Sequence, residues 1–201
     1  MKYIIYILSL IGLFAVTALG QPTITLYQNS MSSGVGGQFT AITSDNGTFQ
    51  TFCDDPLHVF YPGVTYYYSV SQQEYVGGAP LTAGTAYLYR QFLSGSLPGY
   101  NYNSPTSAGQ LQDVIWGLQG ESDGNSLADF VTGDAFYDDV VSHFGTILNA
   151  ELPNNPSDGI AVMNLYDSNG NAVQSQLTSV PEAGSMLVSA CLFLPFFLRR
   201  K

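Results

Sequence analysis

Lysine is missing between residues 3 and 200 of this sequence, and its 201 residues hold only five basic side chains against fifteen acidic ones. Lys2, Arg199, Arg200 and Lys201 sit at the two ends. Residues 21–180 therefore keep Arg90 alone beside fourteen carboxylates, a net charge near −13. A field of that sign repels phosphate backbones and anionic lipid, which excludes nucleic acid as a partner. Cysteine is almost as scarce: Cys53 stands alone in the middle, and Cys191 lies inside an apolar tail. That excludes an internal disulfide framework. His58 and His143 come without ligand spacing, so no metal centre is expected. No glycine-rich phosphate loop and no paired carboxylates stand out, and neither a cofactor nor conventional enzymatic turnover is expected.

Long hydrophobic runs are confined to the ends. Residues 1–20, "MKYIIYILSLIGLFAVTALG", carry one early lysine, an apolar run, and small residues at Ala18 and Gly20. This is the pattern of a secretory signal peptide cleaved before Gln21. The last stretch, "VPEAGSMLVSACLFLPFFLRRK", holds apolar or small residues from Ala183 to Leu198. As a helix these span roughly 24 Å, a marginal transmembrane length, and Pro195 shortens it further. The basic tip Arg199-Arg200-Lys201 would stay in the cytoplasm and leave the rest outside. Val180-Pro181-Glu182, an apolar stretch and that basic tip resemble the PEP-CTERM sorting signal of Gram-negative bacteria, with Ala183 in place of the usual second proline. The resemblance implies export and anchoring in the inner membrane through the C-terminus. An exosortase-type protease would then recognise the tail, and the protein would pass to the cell surface or extracellular matrix.

Between the ends, residues 21–178 read as a single α+β domain: an antiparallel sheet or sandwich with a helical insertion in the middle. "PTITLYQ", "QFTAIT", "TFQTFC" and "VTYYYSVS" alternate as strands, with the glycine-rich "SSGVGG" as a link. "SDNG" at 44–47 predicts a hairpin turn with positive φ at both Asn46 and Gly47. Helical spacing then puts Ala86, Tyr89 and Leu93 on one stripe. A second helix is capped by Ser104 and Pro105, ends at Gly120, and carries Ala108, Leu111, Ile115 and Leu118 on one face. A longer helix follows, with Leu127, Phe130, Val131, Val140, Phe144 and Leu148 inward and a break at Gly133. "IAVMNLY" and "AVQSQLTSV" close the domain as strands around "DSNGN".

A free cysteine outside the cytoplasm has four ordinary explanations: a buried small hydrophobe, half of an intermolecular disulfide, a metal ligand, or a reactive thiolate. A Cys–His hydrolase would need His58 or His143 to orient the thiol. Placed at 100° per residue, the helix around "LQDVIW" sets Gln112 on the flank of the apolar arc beside Ile115 and Trp116, as a semi-buried amide. A strand ending in aromatic-Cys, "TFCDD", followed by a helix bearing hydrophobic-Gln-x-x-hydrophobic-aromatic, resembles the thioester domains of bacterial surface adhesins. The matching positions are Cys53 and Gln112, with Leu111 where that family usually has Thr. The resemblance implies an internal thioester between the two side chains that captures a nucleophile on a partner protein or surface polysaccharide. Phe52, Trp116 and the Tyr66–Tyr68 cluster are the expected shield against water. The other reading is a passive structural or carbohydrate-binding matrix protein, in which Cys53 and Gln112 are packed core groups. The fourteen tyrosines suit a sugar-stacking face or half-buried strand packing. "ESDGNSLAD" and "DSNGN" read as turns with oxygen groups at spacings unlike an EF-hand.

Overall fold

The computed structural model describes residues 20–33, 36–75, 78–120 and 134–180. Six strands form one sheet: β1 (Thr23–Ser33), β2 (Gly36–Thr43), β3 (Gly47–Thr51), β4 (Thr65–Ser71), β5 (Ile160–Tyr166) and β6 (Ala172–Ser179). Their spatial order is β3-β2-β1-β4-β5-β6, and every neighbouring pair is antiparallel. The sheet curls until its two edges meet. Just past β3, Asp54 N–H donates to Ser175 O (3.0 Å) and Leu177 N–H donates to Phe52 O (3.0 Å). Buried Thr51 adds its hydroxyl to Leu177 O at 2.7 Å. Both edges thereby gain partners that an open sheet would leave to water.

Curling divides the apolar residues into two cores. Inside the curl lie Ile24, Leu26, Ala41, Tyr66, Tyr68, Met163, Leu165 and Val173. Outside, α1 (Ala83–Leu93), α2 (Pro105–Leu118), α3 (Ala135–Phe144) and the short α4 (Ile147–Ala150) build the second core with Phe52, Ile160, Val162 and Leu177. Strand alternation assigns the faces: Phe52 turns toward the helices, while Phe49 packs on the inner cluster. Helix α2 begins as its sequence predicts. Ser104 accepts from Ser107 N–H, Pro105 fills the first turn, and Ala108, Leu111, Ile115 and Leu118 are buried.

Several expectations need correction. The tip of the β2–β3 hairpin is the three-residue loop 44–46, closed by the Thr43–Gly47 pair, with positive φ at Gly47 and not at Asn46. That is the arrangement of a longer hairpin loop rather than a two-residue one. The glycine-rich link belongs partly to strands: β1 runs through Ser32 and Ser33 after a register shift, and β2 starts at Gly36. Leu93 is 39 % exposed although Ala86 and Tyr89 on its stripe are buried, because it stands at the last turn of α1. Leu148 is 71 % exposed. Gly145, at φ +79°, ends α3 and resets the phase of the next turn, so Val140 is buried and Phe144 half-buried while Leu148 is not. Leu127, Phe130, Val131, Gly133 and the "ESDGNSLAD" segment lie outside the described residues.

Of the terminal signals, only Gly20 and Val180 are described; Val180 follows β6 and donates its N–H to Gly159 O (2.9 Å). Pro181, Glu182, Arg199, Arg200 and Lys201 lie outside the described residues. Among the described residues no helix is long and apolar enough to cross a membrane.

Replacing Thr51 by Val removes the buried hydroxyl that bridges the seam. The expected cost is about 1–2 kcal/mol in denaturant unfolding. Faster hydrogen exchange at the Asp54 and Leu177 amides should accompany it, with the β1–β2 amides unchanged.

Candidate functional site around Cys53

The ladder between β2 and β3 runs from Thr43–Gly47 to Phe39–Thr51 and stops there, because the chain beyond Thr51 crosses to β6. In an extended strand the N–H and C=O of one residue point to the same side. Phe52 O and Asp54 N face β6, so both backbone groups of Cys53 face the gap left by β2. Gln112 fills that gap. Its Oε1 accepts from Cys53 N–H at 3.0 Å, and its Nε2 donates to Cys53 O at 2.7 Å. A side-chain carboxamide thus stands in for the missing peptide group. Cys53 and Gln112 are 1 % and 0 % exposed.

The sequence placed Gln112 on the flank of the helix as semi-buried; the tertiary fold buries it fully. Room for it comes from Gly36. A Cβ there would lie 2.9 Å from Gln112 Cγ and 3.3 Å from the Trp116 ring, and the residue holds φ +127°. Trp116 is half-buried against this spot. Phe52 is wholly buried but faces the helical core, where it meets Phe92 edge-on at 5.0 Å. Tyr66 and Tyr68 belong to the inner core, whereas Tyr67 between them is 41 % exposed.

The thiol itself has another neighbour that sequence reasoning missed. Gln176 on β6 sits opposite Cys53 in the seam and donates Nε2–H to Sγ at 3.4 Å. Gln176 is 0 % exposed, and its Oε1 has no hydrogen-bond partner among the described residues. No local signal marks it, since only the closing of the sheet brings residue 176 to residue 53. Burial pushes the Cys53 thiol up to about 12; the Gln176 hydrogen bond opposes the shift, and the carboxylates Asp55 and Asp54 add to it. Cys53 therefore rests as a neutral thiol at physiological pH.

The histidines do not join Cys53 in a triad. The ring Nδ1 of His58 is hydrogen-bonded to Asp55 Oδ2, and the ring packs beside Tyr75, with centroids 5.4 Å apart. His143 stacks on Tyr87 in the helical layer at 4.1 Å. Among the described residues no group of three or more histidine, cysteine or acidic side chains is arranged to hold a metal. In "DSNGN", Asp167 accepts from Asn169 N, Asn171 N and Asn171 Nδ2, which makes it a turn cap. No family model, curated protein or solved structure matches this chain.

Truncating Gln112 to Ala strands two buried backbone groups, and a loss of about 2–5 kcal/mol is expected in denaturant melts. Gly36→Ala is expected to cost about 1–3 kcal/mol through overpacking against the same carboxamide. The raised thiol gives a pH test with a definite sign. The folded protein holds this proton more tightly than the unfolded chain, so the thiol's contribution is complete below the ordinary value of 9.0 and is lost as pH rises toward about 12. Alkaline unfolding curves of the free-thiol protein should therefore steepen above pH 9 relative to Cys53→Ala, with a difference on the order of a few kcal/mol.

Proposed function

We propose that this is an exported cell-surface or extracellular-matrix protein whose Cys53 and Gln112 form an internal thioester that captures a nucleophile once, as a covalent adhesin. The observation that carries this reading is the docking of the Gln112 carboxamide onto Cys53 through both of its polar atoms in a dry interior. The amide carbon, one bond from each of those atoms, is held within about 4 Å of the Cys53 backbone. Attack requires the sulfur to leave Gln176 by rotation about χ1 and turn toward that carbon.

The chemistry balances without a co-reactant. Sγ bonds to the Gln112 amide carbon, the carbon–Nε2 bond breaks, and the thiol proton leaves with that nitrogen as ammonia. During attack the negative charge gathers on Oε1, which already receives the Cys53 N–H at 3.0 Å, within the range of an oxyanion donor. Capture reverses the pattern: an amine or hydroxyl bonds to the same carbon, the carbon–sulfur bond breaks, and sulfur regains a proton. The absence of lysine from residues 3–200 removes internal ε-amines that would quench the bond. Export, exosortase processing and passage to the surface rest on the terminal motifs alone.

A second reading has its own observation. Gln119, seven residues after Gln112 at the C-cap of α2, also clamps a backbone, accepting from Thr82 N–H at 2.9 Å and donating to Pro80 O at 3.4 Å. No cysteine is involved there. Under this reading Gln112 is structural and the protein a passive matrix component.

Intact mass decides between the two. A thioester lowers the mass of the purified protein by about 17 Da, one ammonia, and methylamine should restore mass by adding at residue 112. The deficit should vanish in Cys53→Ala and Gln112→Ala and persist in Gln176→Ala. A thiol that titrates fully in freshly purified native protein, with no mass deficit, would reject the crosslink.

A further inference from the structure

The outer face of β4 and β5 is only partly roofed by the helices. Ile160 and Val162 lie in the helical core, but Asn164 and Tyr166, next on the same face of β5, extend past that cover. They pair with Ser69 and Tyr67 of β4. Two clefts open here. One, of about 490 Å³, lies between Tyr67, Tyr166 and the Asp167–Gly170 turn, with Gln21 at its edge. The other, of about 310 Å³, is walled by Tyr166, Tyr75, Asn164, Gln73 and Ser71. Tyr166 lines both, so the two clefts adjoin along the two strands, and together they are called the trough below. Each is of a size that holds small ligands.

The trough is built rather than incidental. Among the described residues Tyr75 is the non-glycine residue with positive φ, at +24°, a conformation that costs free energy. It is held there by Asn164, 3 % exposed, whose Oδ1 accepts from Tyr75 N–H at 2.9 Å. The same side chain donates to Ser71 Oγ at 3.1 Å and Gln73 O at 3.0 Å. The result sets the Tyr75 ring edge-on against Tyr166, with centroids 5.7 Å apart, and beside His58.

We propose that this trough binds a neutral, hydroxyl-rich glycan chain, its sugar faces stacked on Tyr67 and Tyr166 and its hydroxyls bonded to the exposed side chains of Ser69, Ser168 and Asn169. Tyrosine offers an apolar face and a polar rim, which suits a sugar ring with one C–H face and hydroxyls around its edge. An apolar peptide would take the exposed polar side chains that line the clefts, Ser69, Ser168 and Asn169, out of water without replacing it. A uronate or other acidic polymer meets a domain of net charge near −13 and is repelled. A cation is drawn by that same field, but the one carboxylate that lines the trough, Asp167, is already engaged by Asn169 and Asn171. This site does not depend on whether the thioester forms.

Calorimetric titration of the purified protein with cello-, manno-, galacto- and chitohexaose tests the proposal. Saturable binding of at least one, little changed by salt, is expected. Tyr67→Ala, at a ring 41 % exposed, should weaken it about tenfold, with Tyr67→Phe within about twofold of the original. Asn169→Ala, on the exposed turn, tests the polar wall without touching a packed ring and should weaken binding about threefold. Failure of all four sugars to bind, binding indifferent to Tyr67→Ala and Asn169→Ala, or preference for hexagalacturonate or choline over every neutral sugar would each overturn it.

Discussion

A carboxamide that takes the place of a strand governs the centre of this molecule. Where β3 leaves β2 to close the sheet against β6, the backbone of Cys53 loses its ladder partner, and Gln112 supplies both a donor and an acceptor in its stead. Without it the closure would leave an N–H and a C=O buried and unsatisfied, a penalty comparable to much of a small domain's stability. The clamp in turn fixes the rotation of α2 over β1 and β2, since Gln112 and the buried stripe of that helix must both face the sheet. It also requires glycine at position 36, where any side chain would strike the carboxamide.

The same dryness that makes the clamp strong controls the cysteine. Excluded water raises the value of each hydrogen bond to Gln112 and at the same time holds the Cys53 thiol neutral. A neutral thiol is a poor nucleophile. Gln176 is the group that acts in the opposite direction, placing an N–H on the sulfur where negative charge would develop. The site therefore combines an electrophile already polarised by a backbone donor with a nucleophile that one amide from the far edge of the sheet assists without being required. Formation of a thioester here would be slow and selective, and the bond, once made, would lie in surroundings that exclude hydrolysis.

Local pattern made much of this legible. Alternation located every strand to within a few residues, and the Ser104–Pro105 start placed α2 so that Gln112 fell beside the apolar arc. A period of two along "TFQTFC" sets Cys53 and Phe52 on opposite faces. What could not be read was tertiary. Nothing near residue 176 announces that it meets residue 53, because the seam exists only once six strands have curled. Full burial of Gln112 depends on a glycine 76 positions away in the chain, whose meaning is a close approach and not a turn. Leu148 was misread because a single left-handed glycine at 145 resets helical phase, an effect that periodicity averages away. The strained Tyr75 lay in a stretch with no pattern to violate.

A chain of contacts links the buried site to the open face. Asp55 follows Cys53 by two residues and pairs with His58; the His58 ring lies by Tyr75, and Tyr75 meets Tyr166 in the trough. Gln174 of β6 ties the start of that chain to the sheet through Asp55 O at 2.8 Å. Held together, the two proposals carry a chemical consequence for the acyl acceptor. A neutral glycan lying along Tyr166 would offer hydroxyls, not amines, as acceptors. Hydroxyls are the weaker nucleophiles, so transfer to them needs a base close to the thioester. Asp55 and His58 lie on the contact chain toward Tyr166 but are paired to each other, so a hydroxyl acceptor would lack such a base at Cys53 itself.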